Sequence, residues 1–493
     1  MRKFYGAWLI SGLLLGVGFV VPALWFLGFF GAASCAWCVW NESTLRRSIL
    51  GLWLAFTIKA AFAVSFFWAT YPIEWLPLEL GEVQILFIGV YWFTTALWLG
   101  SGAVFMAAII WLMKQKKWCT YFHTALVMPF AWVAAEIIGS LIFSIMFYGP
   151  GGAVTTAFSF GFVGYLVAES YLLLQLATLG GVYFLSFFVV TVSVALVGMW
   201  QKSTRNGCVV GVSSVLFFLL LTWYQPIAII PETGHLVTTV DTTFPRNWTF
   251  TETGRNKITQ VANTAMDAVF SAPVEYVLLP EGAGYFKQQQ PLGPQRSTFL
   301  ARYTADAVVV DSGPVQVSGK NTLQAIIYSS LSDSFETTQK RYLVPQGEFM
   351  PTLYAGLLNV LGYEGAVEYI ANAVSYEPAA DPSQTHLASS TPGILFCFES
   401  VSPYGVRSLV REHPEAPFIA HPVSHAWFHE PNVLWQQLDA MLQVQAVWNQ
   451  KYIVSAGNHV ASRVITPNGL VYTPPVTDQG KWWVVRRTII PET

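Results

Sequence analysis

Lys340-Arg341-Tyr342-Leu343-Val344-Pro345-Gln346-Gly347-Glu348-Phe349-Met350-Pro351 is the stretch on which the reading of the C-terminal half turns. A lysine and a glutamate stand at either end of a short apolar run and a Pro-x-Gly turn. Two other segments also place polar groups where an apolar run stops. One is Val277-Leu278-Leu279-Pro280-Glu281-Gly282, and the other is Gly393-Ile394-Leu395-Phe396-Cys397-Phe398-Glu399-Ser400. Functional groups often stand at strand ends, where a rigid scaffold presents them to a cleft. Taken singly, each segment has a plainer explanation. Pro-Glu is a common turn, a lysine in a basic dipeptide is a common solvated face, and a strand cysteine is commonly a small core residue.

Around these segments, short β-rich runs alternate with helical stretches. The pattern predicts strands at His235–Thr239, Tyr276–Leu279, Ala307–Val310, Leu323–Tyr328, Gly393–Phe398, Phe418–Ala420 and Tyr452–Ser455. Helices are predicted at Arg255–Ser271 and Asn432–Gln450. That alternation predicts a layered α/β domain.

Upstream the composition changes. Over the whole chain of 493 residues, 54% are hydrophobic and only 11% charged, against about 25% charged in soluble proteins. The charges are sparse up to about residue 230, which predicts a membrane domain over 1–230 and a soluble domain over 231–493. A span takes about 20 apolar residues. Candidate segments lie at 6–20, 23–40 (after a break near Pro22), 50–70, 84–113, 124–147, 171–200 and 207–230, about seven in all. More apolar sequence follows the first segment at once, so it is not expected to be a cleaved signal peptide. Trp482–Thr493 is too short and polar to be a further span.

Alternate loops carry the basic residues: Arg2 and Lys3; Arg46 and Arg47; Lys114, Lys116 and Lys117; Lys202 and Arg205. The intervening loops, around Glu74, Glu79 and Glu82 and from Tyr148 to Ser170, carry none. Positive charge marks the cytoplasmic side. The N-terminus is therefore expected in the cytoplasm and the C-terminal domain outside it, in the periplasm of a bacterium. Lys59 and Glu136 fall within spans, either as functional charges or as a snorkelling lysine and a glutamate in an interhelical hydrogen bond. Cys35 and Cys38 form a C-x-x-C inside a Trp- and Phe-rich run, where packing is the expected role. Cys397 is the lone cysteine of the soluble half, with no disulfide partner or thiolate companions there. No cofactor or metal is expected, and a net charge of −2 offers no basic face for nucleic acid.

The three polar segments, in this order, resemble the nitrilase, or carbon–nitrogen hydrolase, superfamily. With the preceding spans the chain is similar to the apolipoprotein N-acyltransferases. Lys340 to Pro351 lies close to that family's K-x-x-L-V-P-F-G-E-x-x-P, Cys397-Phe398-Glu399 matches C-Y-E, and Ala426-Trp427-Phe428 matches part of N-D-A-W-F-G. Met128 to Glu136 and Leu179-Gly180-Gly181-Val182-Tyr183 also look like family segments. The resemblance implies an αββα sandwich and acyl transfer through a cysteine thioester. It implies Cys397 as nucleophile, Glu281 as general base, and Lys340 with the Phe398 N–H as oxyanion donors, while Glu348 and Glu399 position them. It implies a phospholipid donor, a lipoprotein amine acceptor and membrane lipids as partners.

The periphery departs from the family. Ser424-His425 replaces N-D, His429 replaces the glycine, Gln346 replaces the phenylalanine, and Gln445-Ala446-Val447-Trp448 replaces R-A-x-E. Plasmid conjugal-transfer proteins of the TraB type resemble the family with such an altered periphery. An amidase and a non-catalytic envelope protein are the other readings, and a transporter is the least supported. The segment from about Leu353 to His386 is expected to form a mobile flap over the cleft.

Overall fold

The computed structural model describes residues 2–492 except 74–80, 82, 116–120, 203, 225, 228–229, 246–247, 249–250, 287–291, 304–305, 318, 331, 333, 380–386 and 430–431. Glu74, Glu79, Glu82, Lys116, Lys117 and the end of the expected flap lie outside the described residues.

The first half is helical: α1 (Arg2–Val17), α2 (Leu27–Asn41), α3 (Leu45–Ala63), α4 (Val83–Gly100), α5 (Ala103–Gln115), α6 (Tyr121–Met146), the single turn α7 (Tyr171–Leu174), α8 (Gly181–Lys202) and α9 (Thr204–Trp223). Three helical stretches among the described residues are long and apolar enough to cross a membrane: Val83–Gln115, Leu126–Met146 and Gly181–Trp200. The expected break near Pro22 is a short 3-10 turn, Pro22–Leu24. The stretch expected as one span from 171 begins instead as tight turns, and its long helix starts at Gly181. Small residues let these helices touch. A Cβ on Gly102 would sit 1.9 Å from the Ala135 carbonyl, and one on Gly139 would sit 2.1 Å from that of Leu99. Such close approach replaces the hydrophobic effect as the force between helices in lipid.

Glu136 binds this bundle together. One carboxylate oxygen takes Lys59 Nζ at 2.7 Å, the Trp132 indole N–H at 3.2 Å and the Val163 N–H at 2.8 Å, and the other takes the Ser186 hydroxyl at 2.8 Å. Both charges are buried. The pair thus ties α3, α6, α8 and the Val163–Glu169 turns: Glu136 makes the interhelical hydrogen bonds weighed for it from the sequence, whereas Lys59 is buried against it instead of snorkelling to the interface.

The described residues of the second half hold twelve strands: β1 (His235–Thr242), β2 (Tyr276–Glu281), β3 (Val308–Val317), β4 (Lys320–Ser329), β5 (Glu336–Gln339), β6 (Gly393–Ile394), β7 (Ile419–Ser424), β8 (Ile453–Asn458), β9 (Arg463–Ile465), β10 (Val471–Tyr472), β11 (Val476–Gln479) and β12 (Trp483–Ile490). Its helices are α10 (Glu252–Val269), α11 (Leu292–Arg302), α12 (Thr352–Val360), α13 (Glu364–Tyr369), α14 (Gly405–Glu412) and α15 (Asn432–Asn449). Strands β5-β4-β3-β2-β1-β12-β11 form one layer and β6-β7-β8-β9-β10 the other, joined at one corner through Thr242 and Asn458.

Side-chain alternation explains the layering. Tyr276, Leu278, Val308 and Val310 point inward to meet Ile394, Phe396, Phe418 and Val454 of the other layer. Val277, Leu279 and Val309 point outward under Met266, Phe299 and Tyr303 of and beside α10 and α11. Leu395, Ile419 and Ile453 pack under Leu409 and Leu442 of α14 and α15. Both faces of each layer are covered, so the strands read as unbroken apolar runs. The result is the expected αββα arrangement. The terminal segment, too polar for a span, is strand β12, antiparallel to β1 along its full length.

Candidate active site

Glu281 is the last residue of β2, and Gly282, with φ of +84°, turns the chain away immediately after it. Lys340 follows β5, its backbone N–H held by the Leu323 carbonyl at 2.9 Å. Cys397 lies beyond β6. The strand expected to run to Phe398 stops at Ile394, and Cys397–Val401 is a 3-10 turn. Its cause is Glu399, whose buried carboxylate accepts the Phe396 N–H at 3.0 Å and the Arg341 N–H at 2.6 Å. Two backbone donors on one carboxylate fold the chain back at the cysteine and fix the Lys340 strand end beside it.

The expected residues converge. Lys340 Nζ stands 2.7 Å from Glu348 and 3.3 Å from Glu281. The other Glu281 oxygen accepts the Cys397 N–H at 3.3 Å, and the other Glu348 oxygen accepts the Val344 N–H at 2.8 Å. Cys397 Sγ lies 3.9 Å from the Ser424 carbonyl. One cation therefore faces two carboxylates and a thiol. Burial raises the Glu281 pKa; Lys340 offsets this only in part, and the neighbouring Glu348 charge adds to the rise. Burial works against the Lys340 ammonium, but Glu281 and Glu348 outweigh it and hold its pKa above the ordinary value. Burial and the Glu281 charge push the Cys397 thiol up to about 12. The resting group is thus a thiol beside a carboxylate with raised proton affinity.

The membrane half supplies the rest. A cleft whose empty space, open solvent included, is about 1300 Å³ has Glu281, Lys340, Glu348, Cys397, Ser424 and His425 at its polar end. Its walls include Phe66, Phe67, Phe87, Tyr91, Phe143 and Phe160 from the first half. The Phe398 ring lines the cavity and packs on Phe158 and Phe160. The halves are pinned on each side of it. Ser159 donates to the Val401 carbonyl at 2.5 Å, Gln437 to the Ala63 carbonyl at 2.6 Å, and the His429 N–H to the Ala69 carbonyl at 2.7 Å.

The described part of the expected flap, 353–379, is largely helical, with α12 docked on the bundle through a 2.5 Å bond between the Thr94 and Tyr354 hydroxyls. The altered periphery is also put to use. Gln445, where the family has arginine, accepts the Val406 N–H at 3.0 Å and donates to the Ser400 carbonyl at 2.7 Å, bracing the turn that holds Cys397. Sequence reasoning missed His421, whose ring lies 3.4 Å from the Cys397 carbonyl and 3.0 Å from Ser455 Oγ. No motif marks it; only its place in an apolar strand could have.

The fold and site define a bundle of apolar helices joined to an αββα domain, with a cysteine, a lysine and two glutamates gathered at one cleft. Residues 11–195 match the family model for the apolipoprotein N-acyltransferase N-terminal domain. The chain is 24% identical to an apolipoprotein N-acyltransferase of Geobacter metallireducens, over 95% of this chain and 86% of that protein. It is 25% identical to one of Mycolicibacterium smegmatis, over 93% of this chain and 75% of that protein. A solved CN-hydrolase superfamily protein of Xanthomonas campestris aligns with 52% of this chain and 91% of its own, at 11% identity and a TM-score of 0.34. Along nearly its whole length the chain is thus similar to apolipoprotein N-acyltransferases. The conjugal-transfer reading finds no support among these relatives.

Proposed function

We propose that the protein is a membrane N-acyltransferase that moves an acyl chain from a phospholipid, through a thioester on Cys397, to an amine such as that of a lipoprotein. The observation that carries this reading is the placement of Cys397, Lys340 and Glu281 at the one polar end of an apolar cavity walled by the membrane half. The walls suit an acyl chain, and the polar end suits its ester.

In this scheme Glu281 takes the Cys397 proton and the thiolate attacks the ester carbonyl. The C–S bond forms, and Lys340 with the Phe398 N–H receives the charge on the oxygen. Such a donor typically contributes about 2.7–4 kcal/mol to the transition state. As the C–O bond breaks, Glu281 returns the proton to the departing lysophospholipid oxygen. The amine then attacks the thioester, the C–N bond forms and the C–S bond breaks. Glu281 takes the amine proton and returns it to Cys397. Glu348 holds Lys340 in place, and Glu399 holds the turn.

The same proposal takes the boundary near residue 230, about seven spans, a cytoplasmic N-terminus and a periplasmic αββα domain. The alternation of basic loops supports it. The direct test is mass spectrometry of protein purified from bacterial membranes. A hydroxylamine-labile long-chain acyl group on Cys397, absent from Glu281→Gln, is expected. A bare Cys397 after incubation with phospholipid vesicles would count against the thioester.

A further inference from the structure

Two side chains at the polar end of the cavity are buried and unsatisfied. His425 is 3% exposed, and neither ring nitrogen has a hydrogen-bond partner among the described residues. Gln346 is 8% exposed, and its side-chain N–H₂ likewise lacks one. Both line the cavity that holds Cys397. Other buried histidines are engaged: His413 with the Thr391 carbonyl at 2.8 Å, and His421 with Ser455 at 3.0 Å.

Neither side chain is loosely placed. The His425 N–H is bonded to the Asn458 carbonyl at 2.9 Å, and its ring stacks on Trp435 with centroids 5.8 Å apart. Ser424, its chain neighbour, carries the carbonyl that faces Cys397 Sγ. Gln346 sits at a φ of +65°, its N–H on the Phe349 carbonyl at 2.7 Å, in the turn between Lys340 and Glu348. Two fixed polar groups left unpaired in an apolar cavity destabilise the empty protein, and a ligand that pairs them offsets that loss.

We propose that His425 and Gln346 form a binding subsite for the uncharged ester and glycerol oxygens of the acyl-donor phospholipid. Ester oxygens only accept, which suits the Gln346 amide N–H and a neutral imidazole N–H. The hydroxyl freed by acyl transfer can donate, which suits the remaining imidazole lone pair. Burial holds His425 neutral by pushing its pKa down to about 3. The subsite thus grips the part of the lipid next to the reacting carbonyl, while the aromatic walls take the chain. The inference rests on the proposed acyl-transfer reading for the identity of its ligand.

The test uses the full-length Cys397→Ala protein in detergent, titrated with phosphatidylethanolamine nanodiscs bearing a fluorescent acyl chain. Adding His425→Phe or Gln346→Phe is expected to weaken binding about tenfold each, while His425→Gln, which keeps a donor and an acceptor, stays within about twofold. The two Phe variants are expected to melt higher than their parent without lipid, because an unpaired polar group has left the interior. Unchanged affinity in both Phe variants would overturn the subsite, as would lower melting temperatures that account for the weaker binding. Thioester formation by the parent with intact Cys397 is scored separately. If it fails while the Phe variants still lose affinity, the subsite stands and the acyl-transfer reading falls.

Discussion

Glu348→Gln is the most informative single change. Its carboxylate serves two donors, Lys340 Nζ at 2.7 Å and the Val344 N–H at 2.8 Å. A glutamine has one acceptor oxygen, so one buried donor loses its partner, at a cost of about 1–3 kcal/mol. The electrostatic effect runs the other way. Glu281 and Glu348 both contact one Nζ, so their carboxylates lie within about 6 Å of each other and, at an effective dielectric of about 20, repel by roughly 3 kcal/mol. That is on the order of a hundredfold in a protonation equilibrium. The base must be a carboxylate to work. Its raised pKa means this form is lost on acidification earlier than for an ordinary glutamate. Removing the Glu348 charge should therefore lower thermal stability yet move the acid limb of activity downward by about one to two pH units. The assay is the initial rate of Cys397 acylation from phospholipid vesicles as a function of pH, beside thermal unfolding in detergent. An acid limb that stays put or moves upward would refute the three-body electrostatics drawn here.

Four other outcomes are expected. Lys340→Met should cut acyl transfer about 10²–10³-fold by loss of an oxyanion donor, measured as single-turnover acylation per mole of folded protein, since stranding Glu281 and Glu348 also lowers stability. Iodoacetamide labelling of Cys397 should keep rising through neutral and mildly alkaline pH without a plateau, because the thiol is pushed up to about 12; a plateau near neutrality would contradict this. Glu136→Ala strands Lys59 in the bundle and should cost about 3–5 kcal/mol, seen as loss of detergent-solubilised protein on heating, with Lys59→Met on top restoring part of it. Burial raises Asp311 from 3.8 to about 7. The folded state therefore binds the proton more tightly, and stability falls as pH rises through that range. Asp311→Asn should flatten this slope in chemical unfolding of the protein.

The strands covered on both faces were legible because Val277–Leu279 and Val308–Val310 carry unbroken apolar runs, and the long helices because their periods are clear. Glu281, Lys340 and Cys397 were legible because each ends such a run. The turn at Cys397 was not, because Leu395-Phe396-Cys397-Phe398 is as apolar as any strand and only the carboxylate of Glu399, folded back on Phe396, ends it. Strand β12 was hidden for a related reason: Arg486 and Arg487 make it look like surface, yet Arg486 turns inward to Asp241 at 2.7 Å. The aromatic wall of the cavity was out of reach of any local pattern, since Phe66 and Phe160 meet Cys397 only through tertiary packing. His425 and Gln346 showed as departures from a motif, without a hint that both would be buried and unpaired.

The pairing of β1 with β12 has a consequence for biogenesis. Asp241 and Arg486 are 245 positions apart, so β1 leaves the ribosome long before the strand that covers its edge. Throughout that interval the sheet presents open backbone donors and acceptors, the template on which strands of separate molecules join. A ribosome stalled before Trp483 would release such an edge. Quality control of this protein should therefore meet aggregation-prone nascent chains far more often than misfolded finished ones.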